Sequence, residues 1–467
     1  MKKLAAAIAI ILVIGGIVFL GFYLRSRNES ATPPTTADPG NLPAVQLPKT
    51  TGDTRGDTQS AGQTAGLIEN LTVAANVPAV DYFVDAKNTV TVVQPDGQIL
   101  KTGGSTSLTT GGGQPESLSA SIVKNIMRVS FSFDGKKILV TMRGPSENQT
   151  SIFDAVQKTW QPLPQNANGP VWSPDNYQVA YFSGASGADG SILSLLDAGG
   201  STSTKPKVLL ALHQEDMKLD WLSPSRILIA DKTSVLSNSS VWSFDPVKKI
   251  ISPVVQDQPG LETIWSSSPA QFGLMFSANQ NQEGGLLRLV DASGKGLKQL
   301  NFLTLPSKCV FYDKLVSAPT QPFDAAPSTS FDIAQDKSLG TSQDKPASST
   351  AKVSTNALPS SSSTPADSGN PTSPTKSEVL KSRTMLICAV PRDQRALSVN
   401  ALPDAYQEKA LFTSDDFFEI NVNDGNVKTL FSDPAKTLDV SNIKIFNQNI
   451  FFINRFDKKV YSLPLGE

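Results

Sequence analysis

Histidine and cysteine are scarce in this 467-residue sequence, which has one histidine, His213, and two cysteines. Because no second histidine lies at metal-ligand spacing, we expect no zinc site and interpret His213 as a solvated residue of a loop between repeats. The chain also lacks a Gly-x-Ser-x-Gly nucleophile elbow and a Gly-x-x-x-x-Gly-Lys phosphate loop. We therefore predict no catalytic residue, no metal ligand and no cofactor.

No stretch of the chain concentrates charge of one sign. The sequence has 41 Lys plus Arg against 42 Asp plus Glu, and the basic residues are scattered, so nucleic acid is not an expected partner. Acidic residues do recur near predicted turns, where carboxylates suit Ca²⁺: Asp134, Asp154, Asp175 and Asp197. The simpler interpretation is that each caps its own backbone, and no Asp-x-Asp-x-Asp-Gly loop is present.

Aromatic residues, by contrast, recur at a nearly constant spacing. The seven marker aromatics are Phe83, Phe131, Trp172, Trp221, Trp265, Phe311 and Phe446. Subtraction gives intervals of 48, 41, 49, 44 and 46 residues before a sixth of 135, which contains an insertion. Units of about 40 to 50 residues are typical of propeller blades, so we predict that these aromatics form the core between neighbouring blades.

The residues after the markers repeat as well. In Phe131-Ser-Phe-Asp-Gly135 and Trp172-Ser-Pro-Asp-Asn176 a turn precedes a short apolar run, which predicts strand, tight turn, strand. A second marker, an Asp that ends another apolar run, follows in four units at Asp154, Asp197, Asp245 and Asp291. Each unit is thus a predicted four-stranded meander. Seven such units close a ring with few exposed strand edges, whereas an open solenoid is the less favoured arrangement.

The segment Val171-Trp-Ser-Pro-Asp-Asn-Tyr-Gln-Val-Ala-Tyr181 carries a family resemblance. It resembles the blade signature of bacterial TolB-like, WD40-like propellers, an aromatic followed by Ser-Pro-Asp-Gly and an Ile-Ala-Phe-like strand. The second unit has Phe133 in place of the proline, and the first, sixth and seventh match only in hydrophobic pattern. The resemblance covers residues 67 to 467 and implies the fold. It suggests cell-envelope assembly only by analogy, since this scaffold hosts binding modules and enzymes alike.

An uncharged stretch runs from Leu4 to Leu24, between Met1-Lys-Lys3 and Arg25-Ser-Arg27. As a helix, these 21 residues would rise about 31 Å, enough to cross a bilayer. The alternative is a cleaved signal peptide, but the stretch ends in Gly21-Phe-Tyr-Leu24 rather than a small-residue cleavage site. We predict an all-β, seven-bladed β-propeller with an N-terminal transmembrane helix over 4–24, preceded by a short cytoplasmic segment, 1–3.

Residues 25–66 contain few apolar residues and are predicted to form a disordered stalk before the propeller at 67–467. The lysines and arginines flanking the apolar stretch differ too little in number to fix its orientation by the positive-inside rule. A stalk that holds a domain away from the bilayer favours a single-pass protein of the cell membrane with the propeller on the extracytoplasmic side.

The two cysteines, Cys309 and Cys388, both fall in the predicted sixth blade, on its first and second strands. If the two strands pair as one hairpin, the sulfur atoms approach disulfide distance. The alternative is two buried free thiols. A disulfide would favour an oxidising compartment.

A Ser/Thr/Pro-rich insertion, residues 319–381, separates those two strands. Its low complexity predicts a disordered loop expelled from a blade hairpin. It is either an O-glycosylated arm or tether, or a tolerated insertion without a role, since loop-closure entropy grows slowly with length.

The seventh unit ends four residues before the terminus and lacks an outer strand. The apolar segment near Gly66-Leu-Ile-Glu-Asn-Leu-Thr-Val-Ala74 supplies a candidate, either as that strand or as a helical turn below the ring.

Two hypotheses for the function of the protein remain. One is a membrane-anchored, non-catalytic propeller that binds a protein, peptide or glycan of the cell envelope. The alternative is an envelope hydrolase or lactonase-like enzyme with acidic metal ligands at the central channel. Three or more Asp, Glu or Asn side chains converging on the channel would favour the enzyme.

Overall fold

The computed structural model of the chain describes residues 44–45, 71–103, 115–120, 122–145, 147–184, 190–200, 205–214, 216–267, 271–279, 283–317 and 380–466. The predicted anchor lies outside these residues, as do the stalk except Ala44–Val45 and the insertion except its last two residues. The chain divides into two compact units. One consists of residues 1–314 and 383–467, and the other consists of residues 315–382. Across the described ranges no helix is long and apolar enough to span a bilayer.

Strands account for almost all of the regular structure in the described residues, and they form seven sheets, one for each blade. Two short strands precede the blades, β1 (Ala44–Val45) and β2 (Thr72–Ala75). The first blade contains β3 (Asp81–Val84), β4 (Val90–Val93), β5 (Ile99–Thr102) and β6 (Glu116–Ser117). The second contains β7 (Ile126–Phe131), β8 (Lys137–Arg143), β9 (Asn148–Asp154) and β10 (Thr159–Pro162). The third contains β11 (Asn168–Trp172), β12 (Gln178–Gly184), β13 (Ser191–Asp197) and β14 (Lys207–Leu212).

The remaining four blades repeat this order. The fourth contains β15 (Lys218–Ser223), β16 (Arg226–Ala230), β17 (Asn238–Asp245) and β18 (Ile250–Pro259). The fifth contains β19 (Glu262–Trp265), β20 (Gly273–Ala278), β21 (Gly285–Val290) and β22 (Gly296–Leu300), and β1 pairs with β22 in parallel. The sixth contains β23 (Cys309–Ser317), β24 (Leu380–Pro391), β25 (Asp415–Asn421) and β26 (Val427–Phe431). The seventh contains β27 (Val440–Phe446), β28 (Asn449–Asn454) and β29 (Val460–Pro464).

Within the described residues there are three helical segments, all short and all in the sixth blade. They are a 3₁₀ turn at Pro306–Lys308 before β23, and α1 (Gln394–Ser398) and α2 (Asp404–Gln407) between β24 and β25. The chain thus forms an all-β, seven-bladed propeller, as the aromatic spacing predicts.

The seventh blade is completed by β2, which pairs antiparallel with β29. Thr72 lies opposite Ser462, and their hydroxyl oxygens are 2.7 Å apart. Next to this blade, Lys444 of β27 forms an ion pair of 2.6 Å with Asp81 of β3. The N-terminal segment therefore takes the strand alternative, and the first and last blades are bonded to each other.

The blades pack through apolar clusters that join neighbouring sheets. One such cluster combines Leu139 and Ile152 of the second blade with Trp172, Val179 and Tyr181 of the third. Burial of these faces is the main favourable term in the stability of the ring, because one meander cannot cover both of its own faces.

All seven marker aromatics lie on the innermost strand of their blade. Three are buried, Trp172, Trp221 and Trp265, and four are half-buried, Phe83, Phe131, Phe311 and Phe446. The Phe83 ring contacts Phe131 and Phe446 with ring centroids 5.9 and 5.4 Å apart, so the first blade touches both neighbours through its marker.

Most of the acidic residues at the turns bond to their own backbone, whereas Asp175 accepts from the side chains of Ser173 and Asn176. The Asp154 carboxylate accepts hydrogen bonds from the N–H groups of Val156 and Gln157, both at 2.9 Å. Asp245 accepts from the N–H groups of Val247 and Lys248 in the same way. These bonds satisfy donors that the turn leaves unpaired, as expected of Asp at such positions.

Cys309 and Cys388 are joined in the structure, and their Cα atoms are 4.1 Å apart. Both side chains are buried, and they lie in the apolar cluster shared by the fifth and sixth blades. The redox state of the two cysteines in the cell stays a prediction.

Gly135 should be intolerant of a side chain. Its φ of 72° favours glycine, and an added Cβ would overlap the Phe83 ring of the first blade. We expect Gly135→Ala to lower the free energy of unfolding by about 2–4 kcal/mol, from backbone strain and overpacking.

The matched control is Gly184→Ala, because a Cβ at Gly184 has nothing within 4 Å. We expect this surface change to stay within about 0.5 kcal/mol. Urea unfolding of both variants is the measurement, and equal losses would show that the contact between the first and second blades is wrongly placed.

Candidate ligand-binding cavity

A cavity of about 940 Å³ opens at one end of the central channel, where the innermost strands begin. Residues from all seven blades line it, and the marker aromatics lie toward the other ends of most of these strands. The lining residues are Ala79, Val80, Pro95, Ile126, Met127, Arg128, Gly169, Asp216, Met217, Lys218, Asp231, Lys232, Thr233, Glu262, Ser307, Tyr406, Gln407, Lys409, Phe412, Ser441, Asn442, Ile453, Arg455 and Lys458.

One wall of the cavity is formed by the connection between β24 and β25, residues 392–414, which carries α1 and α2. Its Asp404 accepts hydrogen bonds from the Ser234 hydroxyl at 2.9 Å and the Val235 N–H at 3.0 Å, both in the fourth blade. The connection therefore reaches from the sixth blade to the fourth, past Gly284 of the fifth, whose N–H donates to the Asn400 carbonyl.

Arg455 of the seventh blade is fixed against this connection. Its guanidinium donates to the Asp439 carboxylate at 3.0 Å and to the backbone oxygens of Leu411 and Tyr406 at 3.2 and 3.1 Å. The same group lies 3.9 Å from the Tyr406 ring centroid and 4.6 Å from that of Phe412. A guanidinium held by both hydrogen bonds and aromatic rings is preorganised to meet a ligand.

Two exposed aromatic rings extend this wall. Phe412 and Phe456 stack with ring centroids 5.6 Å apart, and they are 45% and 50% exposed. Met127 of the second blade also lines the cavity and is 47% exposed. The rim of the cavity thus presents apolar side chains to solvent, a feature typical of protein-binding surfaces.

A buried charge cluster, formed by Lys308, Asp415 and Asp439, lies next to Arg455. The Lys308 ammonium, with a side chain 1% exposed, lies 2.5 Å from Asp415 and 2.9 Å from Asp439, and its other neighbours are the Thr413 hydroxyl and the Tyr406 ring. Burial raises the pKa of the Asp415 carboxyl, and the Lys308 ammonium acts in the opposite direction. Because Asp439 bonds to both Lys308 and Arg455, this cluster sets the position of the arginine at the cavity wall.

Basic side chains outnumber acidic ones along the cavity. Six basic residues line it, Arg128, Lys218, Lys232, Lys409, Arg455 and Lys458, against three acidic ones, Asp216, Asp231 and Glu262. Asp220 lies farther along the channel on β15, and its field acts on Arg128. Desolvation raises the pKa of the Asp220 carboxyl, and the positive charges of Lys218 and Arg128 act in the opposite direction.

None of the residues singled out in the sequence lines the cavity. His213 is exposed after β14, the disulfide lies between β23 and β24, and the marker aromatics lie elsewhere along the channel strands. Within the described part of the chain, no group of three or more His, Cys, Asp or Glu side chains is placed to hold a metal ion.

The sequence nevertheless contains a pattern that identifies several residues of the cavity. The residues three positions before the markers are Val80, Arg128, Gly169, Lys218, Glu262, Lys308 and Ile443. The first five of these line the cavity, and Lys308 forms the buried cluster next to it. Residues at this offset are therefore predictable cavity positions once the blade register is known.

No protein-family model and no curated protein matches the sequence. The similar proteins are therefore solved structures. TolB from Acinetobacter baumannii is 17% identical over 46% of this chain and 61% of its own, with a TM-score of 0.30. The Myceliophteria thermophila Cps50 (Swd1) β-propeller domain is 8% identical over 85% of this chain and 100% of its own, with a TM-score of 0.40. An acylaminoacyl peptidase is 11% identical over 71% of this chain and 43% of its own, with a TM-score of 0.38. No activity follows from likeness at these levels.

Replacing Lys308 should be costly, since Lys308→Met leaves Asp415 buried without a cation and leaves Asp439 with Arg455 alone. We expect a loss of about 3–5 kcal/mol in the free energy of unfolding. The control is Lys314→Met, which removes a partly exposed ammonium 3.4 Å from Glu419 and should cost less than about 1 kcal/mol. Urea unfolding separates the two, and a small loss for Lys308→Met would contradict the charge cluster.

Proposed function

We propose that the chain is a membrane-anchored, non-catalytic β-propeller that binds a protein, peptide or glycan of the cell envelope in its central cavity. The observation that carries the proposal is the cavity itself. Its volume of about 940 Å³ lies at the upper end of the range for ligand sites, and every blade contributes to its lining. A site assembled from seven separate repeats exists only in the closed ring.

The chemistry of the lining supports the proposal of a binding site. Of its three acids, Glu262 accepts a hydrogen bond from the Ser307 N–H at 2.8 Å and Asp231 accepts one from the Ser240 N–H at 2.9 Å. One oxygen of each of these carboxylates is therefore bonded to the backbone, and the second oxygen of Glu262 is buried without a hydrogen-bond partner among the described residues. The exposed rings of Phe412 and Phe456, together with the fixed Arg455, are side chains enriched at the energetic centres of interfaces.

The membrane part of the proposal is supported by the sequence. The uncharged stretch 4–24 has the length of a single transmembrane span, and 25–66 has the composition of a flexible stalk. The joined Cys309 and Cys388 suit an oxidising compartment and thus an extracytoplasmic propeller.

One mass spectrum tests the anchor and the disulfide together. The chain is recovered from membranes without reductant, denatured and treated with a thiol-alkylating reagent. We expect a mass of 49.7 kDa with no alkyl adduct, because an uncleaved chain with a disulfide keeps its N-terminus and has no free thiol. Loss of the first 24 or so residues would contradict the anchor, and two adducts would contradict the disulfide.

In-cell photo-crosslinking tests the binding function. A photoreactive amino acid is placed at Met127 or Lys232, which line the cavity, and at Val156 or Val247 as controls, which are 70% and 77% exposed in turns between third and fourth strands. We expect both cavity positions to capture the same partner and the control positions to miss it. Equal capture from the control positions, or none from the cavity, would refute cavity binding.

A further inference from the structure

Most of the cationic side chains of the cavity have no direct hydrogen-bond or ion-pair partner among the described residues. Five of its six basic residues, Arg128, Lys218, Lys232, Lys409 and Lys458, make no side-chain hydrogen bond and no ion pair with any residue that the structure describes. The sixth, Arg455, is the one paired with a carboxylate. Unpaired cations that share one concave surface focus a positive potential on whatever enters it.

The acids near the cavity offset these cations only in part: Asp216, Asp231 and Glu262 line it, and Asp220, farther along the channel, interacts electrostatically with Arg128 and Lys218. Glu262 is 7% exposed, and Asp231 is bonded to the backbone at Ser240. Among the residues of the inner strands, Asp81 is already paired with Lys444 at 2.6 Å and bonded to Asn442. With six basic residues in the lining against these four acids, the cavity carries a net positive charge.

Arg455 adds hydrogen-bond donors in a fixed orientation to this positive charge. Three of its N–H donors are used, by Asp439, Leu411 and Tyr406, and no bond from Nε to a described residue is present. A guanidinium has five N–H donors, so at most two remain for a ligand, on a side chain that is 11% exposed and lies between the Tyr406 and Phe412 rings. Carboxylates are acceptors that match such a fork.

We infer that the cavity takes an acidic segment of a protein partner, with Arg128, Lys218, Lys232 and Arg455 receiving its carboxylates and the Phe412–Phe456 pair receiving an apolar side chain. This rests on the proposed function and names its ligand class.

A peptide is favoured over a polyanionic glycan because of the rim. Phe412, Phe456 and Met127 expose apolar surface beside the basic lining, so the matching ligand carries carboxylates and apolar groups together. A polyuronate offers carboxylates but no apolar side chain. The volume of about 940 Å³ also exceeds what a single small anion fills.

The test uses two probes, a displayed library of random 12-residue peptides and a galacturonic acid oligosaccharide. The purified chain is used as wild type, as Arg128→Gln/Lys218→Gln, and as the matched control Lys136→Gln/Lys248→Gln. The control removes the same two positive charges from exposed turns on the opposite side of the blades. Thermal unfolding of all three proteins verifies that the fold is intact.

We expect selection on the wild-type chain to enrich Asp and Glu together with Phe, Leu or another apolar residue. For the best peptide, Arg128→Gln/Lys218→Gln should raise the Kd at least about tenfold, the effect of losing one hydrogen bond to a charged group, and the control should change it less than about twofold. Replacing the acids of that peptide by Asn and Gln should cost at least as much.

Enrichment of neutral or basic peptides, or equal affinity in the two double variants, would overturn the inference. Tighter binding of the oligosaccharide than of any selected peptide would assign the cavity to a glycan and overturn it too. If crosslinking captures a partner from the cavity but no acidic peptide is selected, the inference fails while the proposed function stands. If crosslinking captures nothing from the cavity, the proposed function fails on its own test.

Discussion

The pairing of β2 with β29 is the interaction on which the rest of the structure depends. Without it the seventh blade has three strands, and the outer edge of β29 is an unpaired row of backbone donors and acceptors. A propeller of seven blades buries its faces only when each blade has two neighbours. Residues 72–75 at the start of the described propeller and 460–464 at its end therefore close the ring across almost the whole length of the chain.

Closure also creates the candidate site. Each blade contributes residues to the cavity, from the start of its inner strand or from the connection between its second and third strands. None of these contributions forms a site by itself. The buried cluster of Lys308, Asp415 and Asp439 links the sixth and seventh blades directly under Arg455, so the geometry of the cavity wall depends on the same packing that holds the ring together.

The fold was predictable because its signal is periodic. Trp172 and Trp265 sit at equivalent places in their blades, and repeated spacing reports the number of units before any contact is known. The outer strand of the seventh blade was predictable for a similar reason, since a unit that ends too early has to be completed from elsewhere. β1 was not predicted, because a two-residue strand within a polar segment has no pattern of its own.

The cavity was not predictable in the same way. Arg128, Lys218 and Arg455 are far apart in sequence and each looks like an ordinary scattered charge, so only the ring brings them together. The connection at 392–414 was missed because α1 and α2 are too short to show helical periodicity, and their position is fixed by contacts such as that between Asp404 and Ser234. Offsets from the markers become informative only after the blade register is established.

The most direct test of this account is urea unfolding of two chains that differ only in β2, one spanning residues 71–467 and the other 77–467. Both lack the segment before residue 71, so β1 is absent from both. We predict that the longer chain unfolds in one cooperative transition and that the shorter chain unfolds at a clearly lower urea concentration, with a shallower slope, because its seventh blade is open. Superimposable transitions with equal midpoints and slopes would show that the pairing of β2 with β29 does not hold the ring closed.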